Sequence, residues 1–514
     1  MRCSQWVRFV VLGTIVAFCA IPYLTVHAQE YVLEELVIEQ GADTASLDPH
    51  QEVDMATARI TQNIFDSLFR RGLDAKIHPH LAESYKVIDP VTWEFKLRKG
   101  VKFHNGEDFN AAAVKFSLER GRDKTIKPPL RIGNYHQTFK AIEIVDPHTV
   151  RIITKEPDPI VLNRLCGWLG VMLPPEYIKK NGQDILKKKP VGSGPLKFVR
   201  WDKDERIVLE TNEKYWGPIV KAKRVIFKPI PEVTTRIADL ELGRAHIITE
   251  IPPDLIPQLK KNPSVKIESD WSKRNIHIIL NPLIPGPIAD KRVRQALQYA
   301  VDVDSIIKHV LAGQARRIAS LFIPESFGYD PSNKPYPYDP EKAKQLLAEA
   351  GYPKGFDIDF DVPSGRYLNA EEVAQAIAGQ LAQIGIKAKI QKHEWGGYVK
   401  RWRAHKFSPL ALIGAGDEML DCDQLLTSRL ITNANYGGFY SNPRMDELIL
   451  MGRKTVNTKE REEIYKEVQR IIKEDCPILP LYQQPNIYGM RSNIEFKPVI
   501  DEMILADTIK ILKK

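Results

Sequence analysis

The chain has 514 residues, of which 43% are hydrophobic and 27% are charged. This balance is typical of a packed globular protein of about three domains, and it excludes a disordered chain, a collagen-like repeat and a multi-span membrane protein. Lys and Arg outnumber Asp and Glu by 74 to 65, but the longest basic run is Lys187-Lys188-Lys189. Without an Arg-rich arm beside it, this excess indicates a solvated basic surface rather than a nucleic-acid site.

The first thirty residues have the layout of a secretory signal peptide. Arg2 and Arg8 precede an uncharged apolar stretch, residues 9–26, and Val26-His27-Ala28 gives a small-residue exit. The pattern predicts export, with residues 1–28 removed by cleavage after Ala28. An uncleaved anchor is the alternative, because an apolar stretch of this length nearly spans a bilayer.

Three cysteines remain after this cleavage: Cys166, Cys422 and Cys476. An odd number cannot pair completely, and no CxxC spacing is present, so the sequence contains neither a disulfide framework nor a zinc site. A single bridge between Cys422 and Cys476 stays open.

The chain up to Lys189 is strand-rich. In chain order the sequence predicts a strand at 33–40, a helix carrying Ile60, Ile64 and Leu68, alternating strands through Trp93, Phe95 and Leu97, a helix capped by Asn110, an irregular stretch at 122–140 and a hairpin around Asp146-Pro147-His148.

Beyond Val191 helices become more frequent. The predicted elements are strands at 206–210 and 224–230, two helices within 290–311, a helix begun by Asp339-Pro340, a strand at 356–362, a helix at 369–385, a strand at 386–390, a helix at 398–405 and a strand at 410–413. Strand, helix and strand joined by short links indicate right-handed parallel crossovers. Ligands of such sheets bind at the loops that leave the carboxyl ends of the strands.

Motifs for catalysis are scarce. The chain has no HExxH helix and no GxSxG elbow, and Gly192-Ser193-Gly194 lacks the Lys of a phosphate loop, so a tight turn is favoured there. The acidic loop between Asp417 and Asp423 lacks the glycine and glutamate of an EF-hand. A carboxylate pair for glycoside hydrolysis stays open. An exported multi-domain chain of this kind favours binding, and we predict no metal and no cofactor.

Several segments then carry a family resemblance. They are residues 76–85 (KIHPHLAESY), 92–104 (TWEFKLRKGVKFH), 114–120 (VKFSLER), 191–198 (VGSGPLKF), 212–217 (NEKYWG), 290–297 (DKRVRQAL) and 363–367 (PSGRY). In this order they resemble the family 5 extracellular solute-binding proteins, the oligopeptide, dipeptide and nickel receptors of bacterial ABC importers. The resemblance spans essentially the whole mature chain.

The resemblance implies an α/β, periplasmic-binding-protein-like fold: a two-lobed, three-domain clamp around a central ligand cleft. The first lobe would combine residues 29–65, 190–275 and 491–514. The added strand-rich domain would comprise residues 66–189, and the second lobe would comprise residues 276–490. It also implies a monomeric, non-catalytic periplasmic subunit that docks transiently on permease subunits in the inner membrane.

The resemblance also implies ligand-binding residues in the second lobe, by their positions in the sequence. In the loop after the strand at 410–413, Asp417 matches the carboxylate that holds a peptide amine, with Ala415 and Gly416 just before it. A helix cap or a surface acid is the alternative for Asp417. Trp395 matches an aromatic that lines the side-chain pocket, and core packing is its alternative.

Further candidates lie in both lobes. Arg366 and Asn369 fall where pocket residues occur in the family. Arg366 suits a ligand carboxylate, with a surface position as the alternative, and Asn369 together with Glu372 also fits a capping box. In the first lobe, Val53, Asp54 and Met55 match a stretch whose backbone pairs with an extended peptide.

Two departures from peptide receptors concern the ligand. Gly414 stands where a Trp is frequent and Ala411 where some members carry an Arg, which predicts a more open pocket and one charged anchor fewer. A peptide remains the preferred ligand, with a glutathione-like peptide, a nickel chelate or a glycan as alternatives. From other classes, a secreted hydrolase or a chaperone-like protein stays open.

Overall fold

We describe the fold from a computed structural model, which covers residues 32–51, 54–127, 130–434 and 436–512. The predicted signal segment 1–28 and the candidate Val53 lie outside these ranges. Within them, no helix combines the length and the apolar character needed to cross a membrane.

The strands follow the predicted order, and several begin or end where the sequence indicated. They are β1 (Leu33–Gln40), β2 (Phe69–Arg71), β3 (Ile77–Pro79), β4 (Ala82–Asp89), β5 (Thr92–Leu97), β6 (Phe139–Asp146), β7 (Thr149–Thr154), β8 (Leu196–Asp202), β9 (Arg206–Thr211), β10 (Ala222–Pro229), β11 (Ile247–Thr249), β12 (Val265–Leu280), β13 (Arg316–Arg317), β14 (Asp357–Ser364), β15 (Lys387–Glu394), β16 (Leu410–Gly416), β17 (Ile478–Arg491), β18 (Ile494–Glu495) and β19 (Lys510–Ile511).

The helices concentrate in the second half of the chain. They are α1 (Met55–Ile64), α2 (Ala111–Gly121), α3 (Gly133–His136), α4 (Val161–Arg164), α5 (Pro175–Asn181), α6 (Val233–Glu241), α7 (Ile256–Leu259), α8 (Lys291–Ala300), α9 (Val303–His309), α10 (Pro340–Glu349), α11 (Ala370–Ala382), α12 (Trp395–Arg403), α13 (Cys422–Leu425), α14 (Pro443–Lys454) and α15 (Thr458–Asp475). A π-helical turn, Leu426–Leu430, extends α13. Asn110 and Asp339 cap α2 and α10 through their side chains, as predicted.

One mixed sheet runs through both lobes in the order β15-β14-β16-β12-β17-β11-β1-β10-β9-β8, with β13 beside β17. β14 pairs in parallel with both β15 and β16, which confirms the predicted parallel strands. The long strands β12 and β17 pair with each other, and their register shifts between Trp271 and Asn275. Before this shift β12 faces the part of β17 that also pairs with β11, and after it β12 also pairs with β16. The irregularity therefore lies where the strands pass between the lobes.

Separate hydrophobic clusters fill the parts of the molecule. The largest surrounds β14 and β16 in the second lobe, a second lies under β1 and β10 in the first lobe, and a third lies against the antiparallel sheet β4-β5-β7-β6 of the added domain. Helix α5 contributes Ile178 to the first-lobe cluster although we assigned it to the added domain. The domain boundaries themselves stay predictions.

One expectation about local structure is wrong, and one alternative that the sequence left open is excluded. The stretch 122–140 is not irregular throughout, because it contains α3 and the start of β6. Cys422 and Cys476 are not bridged, and both are buried free thiols, as is Cys166. Cys166 and Cys422 belong to hydrophobic clusters, whereas the Cys476 thiol donates to the Lys473 carbonyl at 3.0 Å. Burial raises the pKa of Cys166 to about 12.

Candidate functional site

The loop after β16 lies at the carboxyl end of its strand, where the crossover pattern predicts a ligand. Ala415 is fully buried and pairs with Asn275 of β12, and Gly416 pairs with Arg274. A Cβ at Gly416 would lie 2.8 Å from the Glu418 Oε1 atom. The last two residues of β16 thus hold the loop beside a polar part of β12.

Asp417 is buried within this loop, so it is not a surface acid. Its carboxylate accepts hydrogen bonds from the Ser326 hydroxyl at 2.5 Å and from the Asp421 backbone N–H at 3.2 Å. Burial raises the pKa of Asp417 to about 7, and these bonds offset that rise only in part. A carboxylate has about four acceptor positions, so acceptor capacity remains for a further donor.

The tip of the same loop touches the opposite side of the molecule. The Met419 carbonyl accepts hydrogen bonds from the Asn163 side chain at 2.6 Å and from Arg71 at 3.2 Å. Lys454 of α14 forms an ion pair with Glu156, also across this boundary, at 3.0 Å. We call the region around this loop the interlobe junction.

Charged groups of both lobes meet at the junction. Arg274 of β12 lies 3.4 Å from the Glu502 carboxylate of the C-terminal segment. Arg59 of α1 donates to the Glu502 carbonyl at 3.1 Å and lies 3.3 Å from the carboxylate of Glu250. Lys273, which is 1% exposed, pairs with Glu418. These contacts join the first lobe to the strand that leads into the second.

Glu502 is the electrostatic centre of this group. Burial alone raises its pKa, but the nearby charges of Arg274, Lys273, Arg59 and Arg366 outweigh it and hold the pKa below its usual value. Glu502 therefore stays ionised at neutral pH, and the junction as a whole is rich in cations.

Trp395 begins α12 and forms part of an aromatic wall. Its ring centroid lies 6.0 Å from those of Tyr367 and Tyr398. The Arg366 guanidinium carbon lies 5.1 Å from the centroid of Trp395 and 5.3 Å from that of Tyr367. Burial, together with the charge of Arg274, lowers the pKa of Arg366. The structure thus brings two predicted site residues, Trp395 and Arg366, together.

Arg429 belongs to the same region although the sequence analysis did not select it. Its guanidinium lies 5.5 Å from the centroid of Trp402, and its Nη1 atom is buried without a hydrogen-bond partner in the part of the chain that the structure describes. Burial lowers the pKa of Arg429, and the charge of Arg274 adds to this effect. Its charge also acts on the hydroxyl of Tyr135 from the added domain, so Arg429 lies close to the junction.

The structure excludes the capping alternative for Asn369 and the extended conformation for Met55. Asn369 precedes α11 in a left-handed conformation with φ of 49°, and its side chain makes no capping bond. It donates instead to the Val310 carbonyl at 3.0 Å, so the capping-box interpretation is wrong. Met55 starts a helix and is not extended, because the Asp54 side chain caps that helix at Thr57.

The expected opening beside Gly414 is also wrong. A Cβ at Gly414 would lie 2.7 Å from the Tyr367 ring and 3.0 Å from Ile276. The ring of Tyr367 therefore takes the space in which peptide receptors carry a Trp. Ala411 is fully buried in the second-lobe cluster, so no pocket opens at that position either.

Some of the junction residues that the sequence analysis missed do carry a signal in the sequence. Ser272-Lys273-Arg274-Asn275 is a polar run directly before the apolar residues 276–280, and three of its members are almost fully buried. A polar run in a buried strand indicates functional or paired groups. Arg429 gives no comparable signal, since it lies among ordinary residues of a helical turn.

Two lobes joined by crossing strands, with charged and aromatic groups at the junction, define the class of two-lobed solute-binding proteins. The family profile "Bacterial extracellular solute-binding proteins, family 5 Middle" matches residues 76–436. The chain belongs to this family, as the sequence motifs indicated, and it has the predicted α/β clamp fold.

Similar proteins support the assignment over nearly the full length. The glutathione-binding protein GsiB of Escherichia coli O1:K1 / APEC is 31% identical over 476 residues, covering 90% of this chain and 92% of that protein. The periplasmic binding protein DppA of Helicobacter pylori, solved with the peptide STSA, is 32% identical with a TM-score of 0.79, covering 93% and 98%. CtaP of Listeria monocytogenes, 23% identical with a TM-score of 0.85 and covering 94% and 100%, shares the fold.

Proposed function

We propose that this protein is the extracytoplasmic substrate-binding subunit of an ABC importer and that it captures a peptide or peptide-like solute between its lobes. The observation that carries the ligand class is the contact of Arg366 with Trp395, together with the buried carboxylate of Asp417 in the same lobe. A carboxylate, an aromatic wall and a guanidinium match an ammonium, a side chain and a carboxylate, which are the parts of a short peptide. The names of GsiB and of DppA with its bound peptide support the same class.

The mechanism we propose is capture, closure and delivery. The lobes would pivot where the register of β12 and β17 shifts, and the contacts of Met419 with Asn163 and Arg71 would form on closing. A solute favours closure only by as much as it binds the closed state better than the open one. The closed monomer would dock on the permease subunits and release its solute there.

The cellular location is part of the proposal. Residues 1–28 would direct export and be cleaved after Ala28, leaving a periplasmic protein. Expression with and without these residues, followed by fractionation, tests this point. Retention of the full-length product in the membrane would support the anchor alternative.

We also propose that the protein catalyses nothing and returns its solute unchanged. The test is to strip the purified protein of bound solute and add glutathione, the peptide STSA or a dipeptide. A solute present at about 100 times its dissociation constant adds roughly 2.7 kcal/mol to stability, so the unfolding temperature rises. Mass spectrometry of the recovered solute reports turnover.

The expected result is a rise in the unfolding temperature with at least one peptide and full recovery of intact solute. Recovery of fragments would instead support a hydrolase. A rise with a nickel–histidine chelate or a glycan, and none with any peptide, would contradict the peptide ligand. When arginines of the site are substituted, the matched control is Arg444→Gln, since Arg444 is an exposed second-lobe arginine that pairs with Glu447.

A further inference from the structure

The cations at the interlobe junction are unequally provided with counter-ions. Three of them have a carboxylate partner, in the pairs Arg59–Glu250, Arg274–Glu502 and Lys273–Glu418. Arg366 and Arg429 have none at ion-pair distance within the described ranges. Both side chains are partly buried, and this burial lowers the pKa of each guanidinium.

A guanidinium donor that is removed from water without a partner is costly. Removing a charged group from water carries a large penalty that only a paired charge and well-made hydrogen bonds offset. Arg429 lacks a hydrogen-bond acceptor, because its Nη1 atom is buried and donates to no described residue. A native fold keeps such a group where something else supplies the acceptor.

The two guanidiniums lie along one aromatic row. Trp395, Tyr398 and Trp402 follow each other on one face of α12, and their rings stack with centroid separations of 6.0 and 6.5 Å. Arg366 lies against Trp395 at one end of the row, and Arg429 lies against Trp402 at the other. The ring that Arg366 contacts and the ring that Arg429 contacts are therefore separated by two successive ring-to-ring steps along α12.

We propose that the cleft selects a solute with two carboxylates at opposite ends of a peptide-length spacer, one bound by Arg366 and the other by Arg429. This inference rests on the proposed function and names the chemistry of its ligand. A guanidinium binds a carboxylate through two parallel hydrogen bonds, and stacking on an aromatic ring fixes the plane of that fork. Because two ring-to-ring steps lie between the two contacts, we expect succinate, whose carboxylates are close together, to bind more weakly than a longer dicarboxylate.

The experiment measures solute affinity by calorimetry with purified, ligand-stripped protein. The probes are glutathione, its glycine monoester, its dimethyl ester, succinate and suberate, an eight-carbon dicarboxylic acid. Each is titrated into the wild-type protein and into Arg429→Gln, Arg429→Lys and Arg366→Gln. Arg444→Gln is the control for the loss of a second-lobe arginine.

We expect the wild-type protein to prefer glutathione to its dimethyl ester by roughly 30-fold or more, the effect of losing one partner of a buried charge pair. Arg429→Gln should lose a similar factor on glutathione while its affinity for the dimethyl ester stays within about twofold. Arg429→Lys should keep part of the preference, because it retains the charge without the fork. The unfolding temperature of each variant reports folding, and Arg366→Gln gives an independent reading of the second carboxylate.

Equal affinity of the wild-type protein for the acid and the diester would overturn the proposal. So would an equal loss on both solutes in Arg429→Gln, which would make Arg429 structural. A neutral tripeptide that binds tightly and ignores both arginines would remove the inference but leave the peptide function intact. Conversely, Arg429-dependent binding of suberate without binding of any peptide would keep the inference and remove the peptide function.

Discussion

Two boundaries of this molecule treat buried polar groups differently. The seam between the first lobe and the added domain is built around Asp66, whose carboxylate has every acceptor position occupied by the protein. At the interlobe junction Arg429 has a buried donor that no described residue accepts. The carboxylate of Asp66 is saturated by the protein itself, whereas the guanidinium of Arg429 keeps one donor without a described acceptor.

Four side chains saturate the carboxylate of Asp66. Asp66 accepts hydrogen bonds from His80 at 3.0 Å, the Ser193 hydroxyl at 3.0 Å, the Tyr215 hydroxyl at 3.0 Å and the Trp216 indole at 3.1 Å. Burial opposes ionisation, but these bonds hold the pKa of Asp66 below its usual value. The carboxylate therefore acts as a permanent fastening between segments that are far apart in sequence.

Glycines bring the backbone close enough for this seam. A Cβ at Gly192 would lie 2.0 Å from the Ile64 carbonyl oxygen, and one at Gly194 would lie 2.7 Å from that of Asn63. Only glycine permits this approach, and Ser193 between them then reaches Asp66. The protein itself thus saturates Asp66, whereas under our proposal a solute supplies the acceptor that Arg429 lacks.

Breaking the seam should have the largest effect. Asp66→Ala leaves four donors without their acceptor, two of them on the buried residues Ser193 and Tyr215, so we expect it to lower the free energy of unfolding by about 3–5 kcal/mol. Urea denaturation followed by circular dichroism measures this change. Asp74→Ala, at an exposed aspartate nearby, is the matched control and should leave the midpoint unchanged. An equally small effect for both variants would contradict the fastening role.

At the junction, Asp417 tests whether a solute amine completes the site. Asp417→Ala should weaken a solute with a free amine by about 2–5 kcal/mol, the cost of truncating a buried charge pair. The N-acetylated form of the same solute should lose little. Calorimetry with both forms distinguishes the roles, since equal losses would make Asp417 a purely structural partner of Ser326.

The pH dependence follows from the raised pKa of Asp417. With a pKa of about 7 in the free protein, the carboxyl is protonated below that pH, and an ammonium requires the ionised form. Affinity for an amine-bearing solute should therefore fall roughly tenfold per pH unit below 7. Asp417→Asn should remove this dependence, and a wild-type affinity that is flat between pH 5 and 7 would contradict it.

The same group affects the stability of the free protein with the opposite sign. Its folded pKa of about 7 exceeds the ordinary value of 3.8, so the unfolded chain releases the proton first as pH rises. This contribution is present below about pH 4 and is lost as pH rises towards 7. Asp417→Asn should reduce that slope in thermal unfolding, and an unchanged slope would mean that Asp417 does not titrate there.

The smallest expected effect concerns the aromatic wall. Trp395→Ala removes the ring against which Arg366 lies, so we expect it to weaken solute binding by about 0.5–2 kcal/mol while the amine requirement stays. Trp201→Ala, on the far strand β8, is the matched control. Full affinity in Trp395→Ala, combined with a loss of stability, would assign Trp395 to core packing.

The sequence was most informative where local rules decide structure. Apolar runs predicted β14, β15 and β16. The capping residues Asn110 and Asp339 predicted where α2 and α10 begin. The same logic failed at Asn369, because its left-handed backbone directs the side chain to Val310 and away from the helix. Tertiary contact overrode a local signature there.

The candidate site was predictable only in part for the same reason. Asp417, Trp395 and Arg366 follow from family motifs in one continuous stretch of the second lobe. The partnership of Arg274 with Glu502 joins residues 228 positions apart, and no sequence spacing announces it. Arg429 becomes notable only through what it lacks, which is a property of the folded structure.

The most direct test of the central claim is to release and identify whatever the purified protein carries. Receptors that enclose a solute often retain it through purification, and mild denaturation followed by mass spectrometry reads it out. This account predicts a short peptide or peptide-like molecule, present intact and recaptured after refolding. A protein that carries no solute, and whose unfolding temperature no peptide raises, would contradict it.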